Sequence, residues 1–137
     1  MTGLEQLRAA TAPRLVPMEP VRAERGLVAF GYMPQEREYN PMGTVHGGVL
    51  TMLLDTAMGS AVQSMLEPGA SFTTVELKSS FVRPVTVDAG PLRVEGQVMH
   101  AGRRSALAEA KLVDAEGRLF AYATCTCMLE RAATLAA

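Results

Sequence analysis

The chain is poor in the residues that aromatic cores, disulfide frameworks and nucleic-acid-binding surfaces require. Its 137 residues include no tryptophan, 5% aromatic side chains and two cysteines. The net charge is −1 and there is no basic run, so we expect no nucleic-acid partner. With so few aromatics the core must be aliphatic, and the nine methionines can fill its irregular gaps.

Long apolar runs are also missing. No segment approaches the roughly 18 apolar residues of a membrane span, because the one extended stretch is interrupted by Asp55, Gly59 and Gln63. The N-terminus lacks the basic start and the apolar run of a signal peptide. We therefore expect no membrane association and a cytoplasmic location.

Cysteine and histidine are too sparse for a metal centre. Cys125 and Cys127 are two residues apart in an alternating segment, so we expect them to pack as small apolar side chains on one face of a strand. No further Cys or His lies beside them, and His46 and His100 are far apart in the sequence. We therefore expect no metal site.

The length suits one domain over residues 1–137, with a core from about 15 to 130. A short helix is predicted over Leu4–Ala10 and a long one over Gly48–Leu66, where Pro68-Gly69 follows. Between them, 34–45 reads as a polar loop. Predicted strands, separated by turn residues, cover about 15–20, 25–33, 73–82, 92–100, 104–113 and 119–129.

The long helix has apolar residues around most of its circumference, which predicts that it is buried nearly all round. Several of the strands alternate between apolar and polar residues, so one face of the sheet packs and the other is more polar. About six strands can bury one helix only if their sheet curls around it. The sequence therefore predicts an α+β fold in which a curved antiparallel sheet wraps around one long central helix.

A turn-rich loop leads into a glycine pair, Gly47-Gly48, directly at the start of this helix. The first N–H groups of a helix have no intrahelical acceptors and lie at the positive end of its dipole, so they suit a developing negative charge. Glycine also lets another group approach closely. The pair indicates either an oxyanion hole for a polarised carbonyl or a tight turn into a packed helix.

Two polar residues of the same loop are further candidates. The Asn40 side-chain amide could donate to the same carbonyl, or Asn40 could simply start an Asn-Pro turn. His46 could transfer a proton, bind a metal or orient the loop. We favour the orienting role, because no second metal ligand is spaced near it.

Asp55 is a lone carboxylate on the apolar helix, and such a group is costly to bury unless it is paired or used. No Lys or Arg lies three or four residues away, so a local ion pair does not explain it. Solvent exposure, a partner from a distant strand or another subunit, and catalysis remain. We favour catalysis, since a partly desolvated carboxylate suits a general base.

Spacing then predicts an oligomer. Asp55 follows Gly47 by eight residues, so the two lie about 12 Å apart along the helix axis. Oxyanion donors and the attacking group must both lie within about 3–3.5 Å of one carbonyl. A two-fold dimer with antiparallel helices could bring Gly47 of one chain to Asp55 of the other. We therefore predict shared sites, two per dimer.

Further candidates lie downstream. Thr73 and Thr74 open the first long strand, where a hydroxyl could hold an attacking water, although threonine is also an ordinary strand former. The cations that could bind a phosphorylated cofactor, or be solvated surface charges, are Lys78, Arg83, Arg103 and Arg104.

These residues together resemble the hotdog-fold acyl-CoA thioesterases, in the branch that is like the phenylacetic acid degradation (PaaI-like) thioesterase. The resemblance covers about Gly26 to Leu129. The chain does not contain the Asn-Pro-Ile-His run of the hydratase branch. The matching residues are Asn40, Gly43, His46-Gly47-Gly48, Asp55 and the run Thr74-Val-Glu-Leu-Lys-Ser-Ser-Phe-Val-Arg-Pro84.

The resemblance implies hydrolysis of an acyl-CoA thioester to a free acid and CoA, with CoA as part of the substrate and no separate cofactor. It implies that Asp55 is the nucleophile or the general base, and that the Gly47 N–H and the Asn40 amide polarise the carbonyl. His46 would orient the loop and Thr74 would hold water. Dimers that pair into homotetramers are also implied.

We expect an apolar acyl pocket at Met52, Met58 and Val62, although the acyl group itself is not determined by the sequence. The expected substrate contacts are Gly48, Thr51, Met52, Met58, Gly59, Arg83, Arg103 and Arg104. Two alternatives remain on the same fold: a non-catalytic acyl-CoA-binding module, and a dehydratase or isomerase, which would need a histidine base.

Overall fold

The computed structural model describes residues 3–11 and 17–132, and it contains a six-stranded antiparallel sheet packed on one long helix. This confirms the predicted α+β class. The two helices are α1 (Gly3–Thr11) and α2 (Gly47–Gln63). The strands are β1 (Glu19–Glu24), β2 (Leu27–Tyr32), β3 (Ser71–Phe81), β4 (Leu92–Ala101), β5 (Ser105–Asp114) and β6 (Leu119–Glu130). Within these described ranges no helix is both long and apolar enough to span a bilayer.

The strand order in the sheet is β1-β2-β4-β5-β6-β3, and every neighbouring pair is antiparallel. Strands β4, β5 and β6 follow one another directly, as the turn residues between them predict. Strand β3 follows α2 in the chain but lies at the edge beyond β6. It therefore has one long edge that pairs with no other strand of the described chain.

Helix α2 lies across one face of the sheet, and its apolar side forms the centre of the core. Leu53, Leu54 and Met58 have no exposed surface. The close approach depends on Gly96 of β4, because a Cβ atom there would overlap the Ala57 carbonyl group of α2. Gly96 was not identified from the sequence, since a single glycine in a strand does not show which element lies over it.

The prediction that α2 is buried nearly all round holds for only one side of the helix in the single chain. The opposite side carries Met52, Asp55, Thr56 and Ser60, which are all partly exposed. The reason is that the sheet covers one side of α2 and little of the described chain covers the other. This uncovered side is where the lone carboxylate lies.

Most element boundaries differ from the predicted ones by one or two residues, and the differences are larger for β1 and for the end of α2. Strand β1 covers Glu19–Glu24 rather than 15–20, because a two-residue turn pairs Glu24 with Leu27 and the strand therefore continues past residue 20; residues 15 and 16 lie outside the described chain. Helix α2 ends at Gln63 rather than Leu66. There the Ser64 hydroxyl donates to the Ala61 carbonyl (2.6 Å) and accepts the Gly26 N–H (2.7 Å).

The two cysteines are buried and unoxidised, with their sulfur atoms 3.9 Å apart on β6. The contact with the Cys127 thiol, together with burial, raises the pKa of the Cys125 thiol far above its ordinary value. A protonated Cys125 is neither a nucleophile nor a ligand at neutral pH. The burial of both side chains agrees with the interpretation of the pair as small apolar side chains.

Candidate active site

The loop between β2 and α2 is held by a buried carboxylate. Glu38 lies in a 3₁₀ turn (Glu36–Glu38), and its Oε1 accepts the Tyr32 hydroxyl at 2.5 Å and the Gln35 N–H at 3.0 Å. Its Oε2 is buried and has no hydrogen-bond partner among the described residues. Burial, followed by the hydrogen bond to Glu38, raises the pKa of Tyr32 well above its ordinary range. Tyr32 therefore stays protonated and donates.

The Tyr32–Glu38 pair was not identified from the sequence, because a glutamate in a charged loop segment looks like a solvated residue. The Glu38 carbonyl also accepts the His46 N–H at 2.9 Å. Glu38 therefore connects Tyr32, at the end of β2, to the residue that precedes α2.

The Asn40 side chain is largely engaged within its own loop. Its Oδ1 accepts the N–H groups of Met42 (3.0 Å) and Thr44 (3.2 Å), and its Nδ2 donates to the Thr44 hydroxyl at 3.0 Å. These contacts are those of a turn-starting asparagine. One amide hydrogen of Asn40 has no acceptor in the described chain, so a contact with a substrate carbonyl stays a prediction.

His46 caps the N-terminus of α2. Its Nδ1 accepts the Gly48 N–H at 2.8 Å, so this nitrogen presents a lone pair and the ring N–H lies at Nε2. A Cβ atom at residue 48 would lie 2.9 Å from that Nδ1, which explains why glycine stands there. The contact agrees with the predicted loop-orienting role of His46, and it leaves Gly48 without a free N–H.

Gly47, the first residue of α2, is the position where the helix offers an unpaired donor. Within residues 3–11 and 17–132 its N–H has no acceptor. The Phe81 ring lies close to Gly47. A Cβ atom added to Gly47 would be 3.1 Å from Phe81 Cε2. Phe81 is half exposed, and the sequence did not single it out. The positive end of α2 therefore presents one free N–H beside an aromatic ring.

Asp55 has a partner from a distant strand, one of the alternatives left by the sequence. Thr74 Oγ1 donates to Asp55 Oδ1 at 3.0 Å, and no Lys or Arg of the described chain forms an ion pair with Asp55. A hydroxyl orients a carboxylate without neutralising its charge. Asp55 thus remains an oriented acceptor, as a general base must be.

Along its length, α2 meets β3 at every fourth residue, so these helix residues form one row. The four pairs in this row are Gly47–Phe81, Thr51–Ser79, Asp55–Thr74 and Gly59–Phe72. The row places the free N–H and the carboxylate on the same side of the helix, eight residues or about 12 Å apart. One chain therefore does not bring both to a single carbonyl.

A β-bulge decides which threonine joins this row. The pairing of β3 with β6 shifts between Thr74 and Glu76, so Val75 is an extra residue without a partner. Beyond the bulge, Leu77 and Ser79 face α2, whereas before it the even-numbered Thr74 does. Without the bulge Thr73 would face the helix instead, because side chains alternate along a strand.

A crevice of about 920 Å³ opens next to Asp55, between α1, the C-terminal half of α2 and the start of β3. Asp55, Thr74, Gly59 and Phe72 line it, together with residues of α1. None of the residues at the N-terminal end of α2 lines it. The carboxylate and the free Gly47 N–H therefore belong to two different surfaces of the chain.

The predicted acyl-pocket residues are only partly at this crevice. Met58 and Val62 lie in the core with almost no exposed surface, so neither lines it. Thr51 forms a hydrogen bond of 3.3 Å with Ser79, and Met52 is half-buried against the core. Among the described residues that line the crevice, Gly59 is the one that was predicted to contact the substrate.

The predicted cations do not form one cluster. The Arg83 guanidinium lies 5.6 Å from the centre of the Phe120 ring, near the N-terminal end of α2. Arg103 and Arg104 lie in the β4–β5 turn, where the Arg104 carbonyl accepts the Leu129 N–H at 2.8 Å. Along β6 the two places, at Phe120 and Leu129, are about 30 Å apart, at about 3.3 Å per residue. In the part of the chain that is described, no three His, Cys, Asp or Glu side chains could hold a metal.

Comparison with known proteins identifies what this arrangement is similar to. The profile of the thioesterase superfamily matches residues 42–121, more than half of the chain. The proofreading thioesterase EntH of Klebsiella pneumoniae is 33% identical over 108 residues, which are 79% of this chain and 74% of EntH. The region matched by the superfamily profile contains Gly47, Asp55 and Thr74.

Two solved structures share the fold. The E. coli PaaI protein superposes with a TM-score of 0.79 at 19% identity, covering 92% of this chain and 89% of PaaI. The smu.793 protein of Streptococcus mutans, solved bound to acetyl CoA, has a TM-score of 0.79 at 21% identity and covers 88% and 94%. At these identities the likeness concerns the hotdog fold.

Proposed function

Because this chain belongs to the thioesterase superfamily, we propose that it hydrolyses acyl-CoA thioesters to a free carboxylic acid and CoA. The observation that carries the proposal is the Asp55–Thr74 pair at the rim of the crevice. Further support comes from the free Gly47 N–H at the positive end of α2. The cytoplasmic location expected from the sequence stays part of this proposal.

The proposed reaction assigns Asp55 as general base. A water molecule would donate one hydrogen to Asp55 and the other to a lone pair of Thr74 Oγ1, whose own hydrogen is committed to Asp55. As the water oxygen bonds to the thioester carbon, its proton passes to Asp55. The C–S bond then breaks, and Asp55 returns the proton to the CoA sulfur. Direct attack by Asp55 on the carbon is the other route that the resemblance leaves open.

The negative charge that develops on the carbonyl oxygen needs a donor that is already in place. The Gly47 N–H suits this role, because it has no acceptor in the described chain and the helix dipole favours an anion there. Asn40 has one uncommitted amide hydrogen in the same loop and would be the second donor. His46 and Glu38 act at a distance from the substrate by holding this loop.

The separation of about 12 Å between Gly47 and Asp55 leads us to propose a site shared across a two-fold dimer with antiparallel helices. The uncovered side of α2 and the unpaired edge of β3 would form the interface. Val75 and Phe81 on β3 are exposed apolar residues that such an interface would cover. Pairing of these dimers into tetramers is the further step that the resemblance implies.

This dimer would also bring the cations closer to one site. In such a dimer the two α2 helices run in opposite directions. The end of the sheet that carries Arg103 and Arg104 in one chain would then lie beside the N-terminal end of α2 in the other chain. Arg83 lies at that N-terminal end in its own chain. CoA phosphates near Gly47 could therefore contact cations from both subunits.

The experiment is thiol release from a panel of acyl-CoAs by the purified full chain, followed by the same assay on Asp55→Asn. The amide has nearly the same shape but cannot take up a proton, so kcat should fall by about 10²- to 10⁴-fold with little change in KM. Asp88→Asn, on an exposed turn, is the matched control. Unchanged turnover by Asp55→Asn would remove Asp55 from the mechanism. Tight binding of acyl-CoA without any turnover would favour the non-catalytic module.

A further inference from the structure

The crevice beside Asp55 is long. It follows α2 from Asp55 to Ser64, and α1 and the start of β3 form its other walls. At 1.5 Å per residue this part of the helix is about 13 Å long. Its volume of about 920 Å³ lies near the top of the range of about 300–1,000 Å³ for small-molecule pockets. An acetyl group would leave most of it empty.

The position of the crevice relative to the reacting groups indicates which part of a thioester would enter it. Asp55 and Thr74 lie on its wall, whereas Gly47 and Arg83 do not. The base must approach the carbonyl carbon, and from that carbon one branch is the acyl chain and the other is the CoA sulfur. Arg25 also lines the crevice, but Glu24 and Glu67 line it too, so its walls would oppose the CoA phosphates as well as attract them. Arg83, Arg103 and Arg104 lie outside it. We therefore assign the uncharged acyl chain to the crevice.

One contact between two residues of the crevice wall lies next to the Asp55–Thr74 pair. Gly59 lies one helical turn beyond Asp55, and Phe72 lies two residues before Thr74 on the same face of β3. The Phe72 ring packs against Gly59. A Cβ atom added to Gly59 would be 3.0 Å from Phe72 Cζ and 3.1 Å from Phe72 Cε2. Phe72 is partly buried against the core, so its ring has little room to turn away.

We propose that the acyl group of the thioester lies in the crevice of the subunit that supplies Asp55, and that the Gly59–Phe72 contact limits the size of that group. The preferred substrates are then medium-length acyl groups, linear or ending in a ring. The other subunit supplies the Gly47 N–H and contacts CoA. This inference rests on the proposed thioesterase function.

The test is kcat/KM for a series of acyl-CoAs from acetyl to decanoyl, together with phenylacetyl-CoA. In the wild type, kcat/KM should rise from acetyl to the medium-length substrates. Phe72→Ala widens the crevice and should raise the ratio of decanoyl to acetyl turnover by about tenfold or more, since one methylene is worth at least that factor in a tight pocket. Met99→Ala, which shortens an exposed apolar side chain on β4, is the control and should leave the profile unchanged.

Gly59→Ala tests the same contact from the other side. The added methyl group must displace the Phe72 ring, so turnover of long acyl groups should fall about tenfold while acetyl turnover changes little. Gly59→Ala combined with Phe72→Leu gives the methyl group room and should restore the wild-type profile. Circular dichroism of each variant checks that it is folded, and a recovery in the double variant excludes a general loss of structure.

The possible failures separate this inference from the proposed function. If the wild type releases thiol but its chain-length profile is the same in Phe72→Ala and Gly59→Ala, the acyl assignment is wrong and the thioesterase function stands. If acetyl-CoA is the best substrate of the wild type, the crevice does not hold the acyl group. If no acyl-CoA is hydrolysed, the function itself fails.

Discussion

Thr74 donates its hydroxyl hydrogen to Asp55 Oδ1 at 3.0 Å, and this contact exists because β3 contains one extra residue just after Thr74. The bulge at Val75 turns Thr74 toward α2 and leaves Thr73 on the outer face of the sheet. A bulge changes which residues of a strand face the core without changing the rest of the sheet. Here it gives the lone carboxylate of α2 its only hydroxyl partner in the described chain.

The two adjacent threonines make a matched pair of variants. Thr74→Val keeps the shape of the side chain but removes the hydrogen bond that orients Asp55, so kcat should fall about tenfold, as expected for one lost hydrogen bond of about 1.4 kcal/mol. Thr73→Val should leave kcat unchanged, since Thr73 is exposed on the other face. Steady-state kinetics on one acyl-CoA measures both. Equal losses in the two variants would contradict the bulge-based assignment.

Gly47→Pro tests the oxyanion donor directly. Proline lacks the N–H and is well tolerated at the first residue of a helix, and the extended ψ of 135° at His46 suits the residue before a proline. Loss of one oxyanion donor should lower kcat about 10²- to 10³-fold. Gly47→Ala is the control, because it places the same Cβ atom beside Phe81 but keeps the N–H. If Gly47→Ala loses as much activity as Gly47→Pro, crowding against Phe81 is the cause.

Mixing two inactive variants tests whether the site is shared. A dimer of one Asp55→Asn chain and one Gly47→Pro chain would have one site with both defects and one site with neither. After unfolding and refolding together in equal amounts, half of the dimers are mixed, so activity should recover to about a quarter of the wild-type value. Sedimentation measurements confirm that the mixture is oligomeric. A mixture no more active than its components would show that each site lies within one chain.

Removal of the Tyr32 hydroxyl should weaken the loop that leads to α2. Tyr32→Phe leaves the buried Glu38 with only the Gln35 N–H, so the free energy of unfolding should fall by about 1–3 kcal/mol. Urea unfolding at neutral pH measures the change. Tyr122→Phe is the control, because its hydrogen bond to Glu109 (2.6 Å) is exposed to solvent. A larger loss of stability in the control would contradict the structural role of the Tyr32–Glu38 pair.

Asp114 should make stability depend on pH at the acid end. Burial alone would raise the pKa of Asp114, but hydrogen bonds from the Arg118 N–H (2.9 Å), the Arg118 guanidinium (2.6 Å) and the Glu116 N–H (3.0 Å) lower it below its ordinary value. Its carboxylate therefore stabilises the fold above about pH 4 and loses this effect as the pH falls through the lower pKa of the folded state. Asp114→Asn should thus be less stable than the wild type at pH 7, and the difference should shrink toward pH 2. Thermal unfolding across that range measures it, and a difference that grows on acidification would be contrary evidence.

The sequence by itself determined the order and type of the main elements. Apolar periodicity around α2, alternation in the later strands and the turn residues between them are local signals, and local signals predict helices and strands. The start of α2 was also readable, because His46-Gly47-Gly48 is a run in which capping and close approach act within three residues. The lone Asp55 stood out for the same reason, since the absence of a cation one turn away is visible in the sequence.

Only the tertiary structure decided which residues meet. The bulge at Val75, which selects Thr74, depends on the pairing of β3 with β6, and the room that α2 needs is provided by Gly96 on a strand far along the chain. Met58 proved to be a core residue, because the sheet covers that side of the helix. Glu38 proved to be buried, because its partner Tyr32 comes from the end of another strand. In each case a long-range contact selects among residues that have the same local pattern, and the amino-acid order shows the pattern but not the contact.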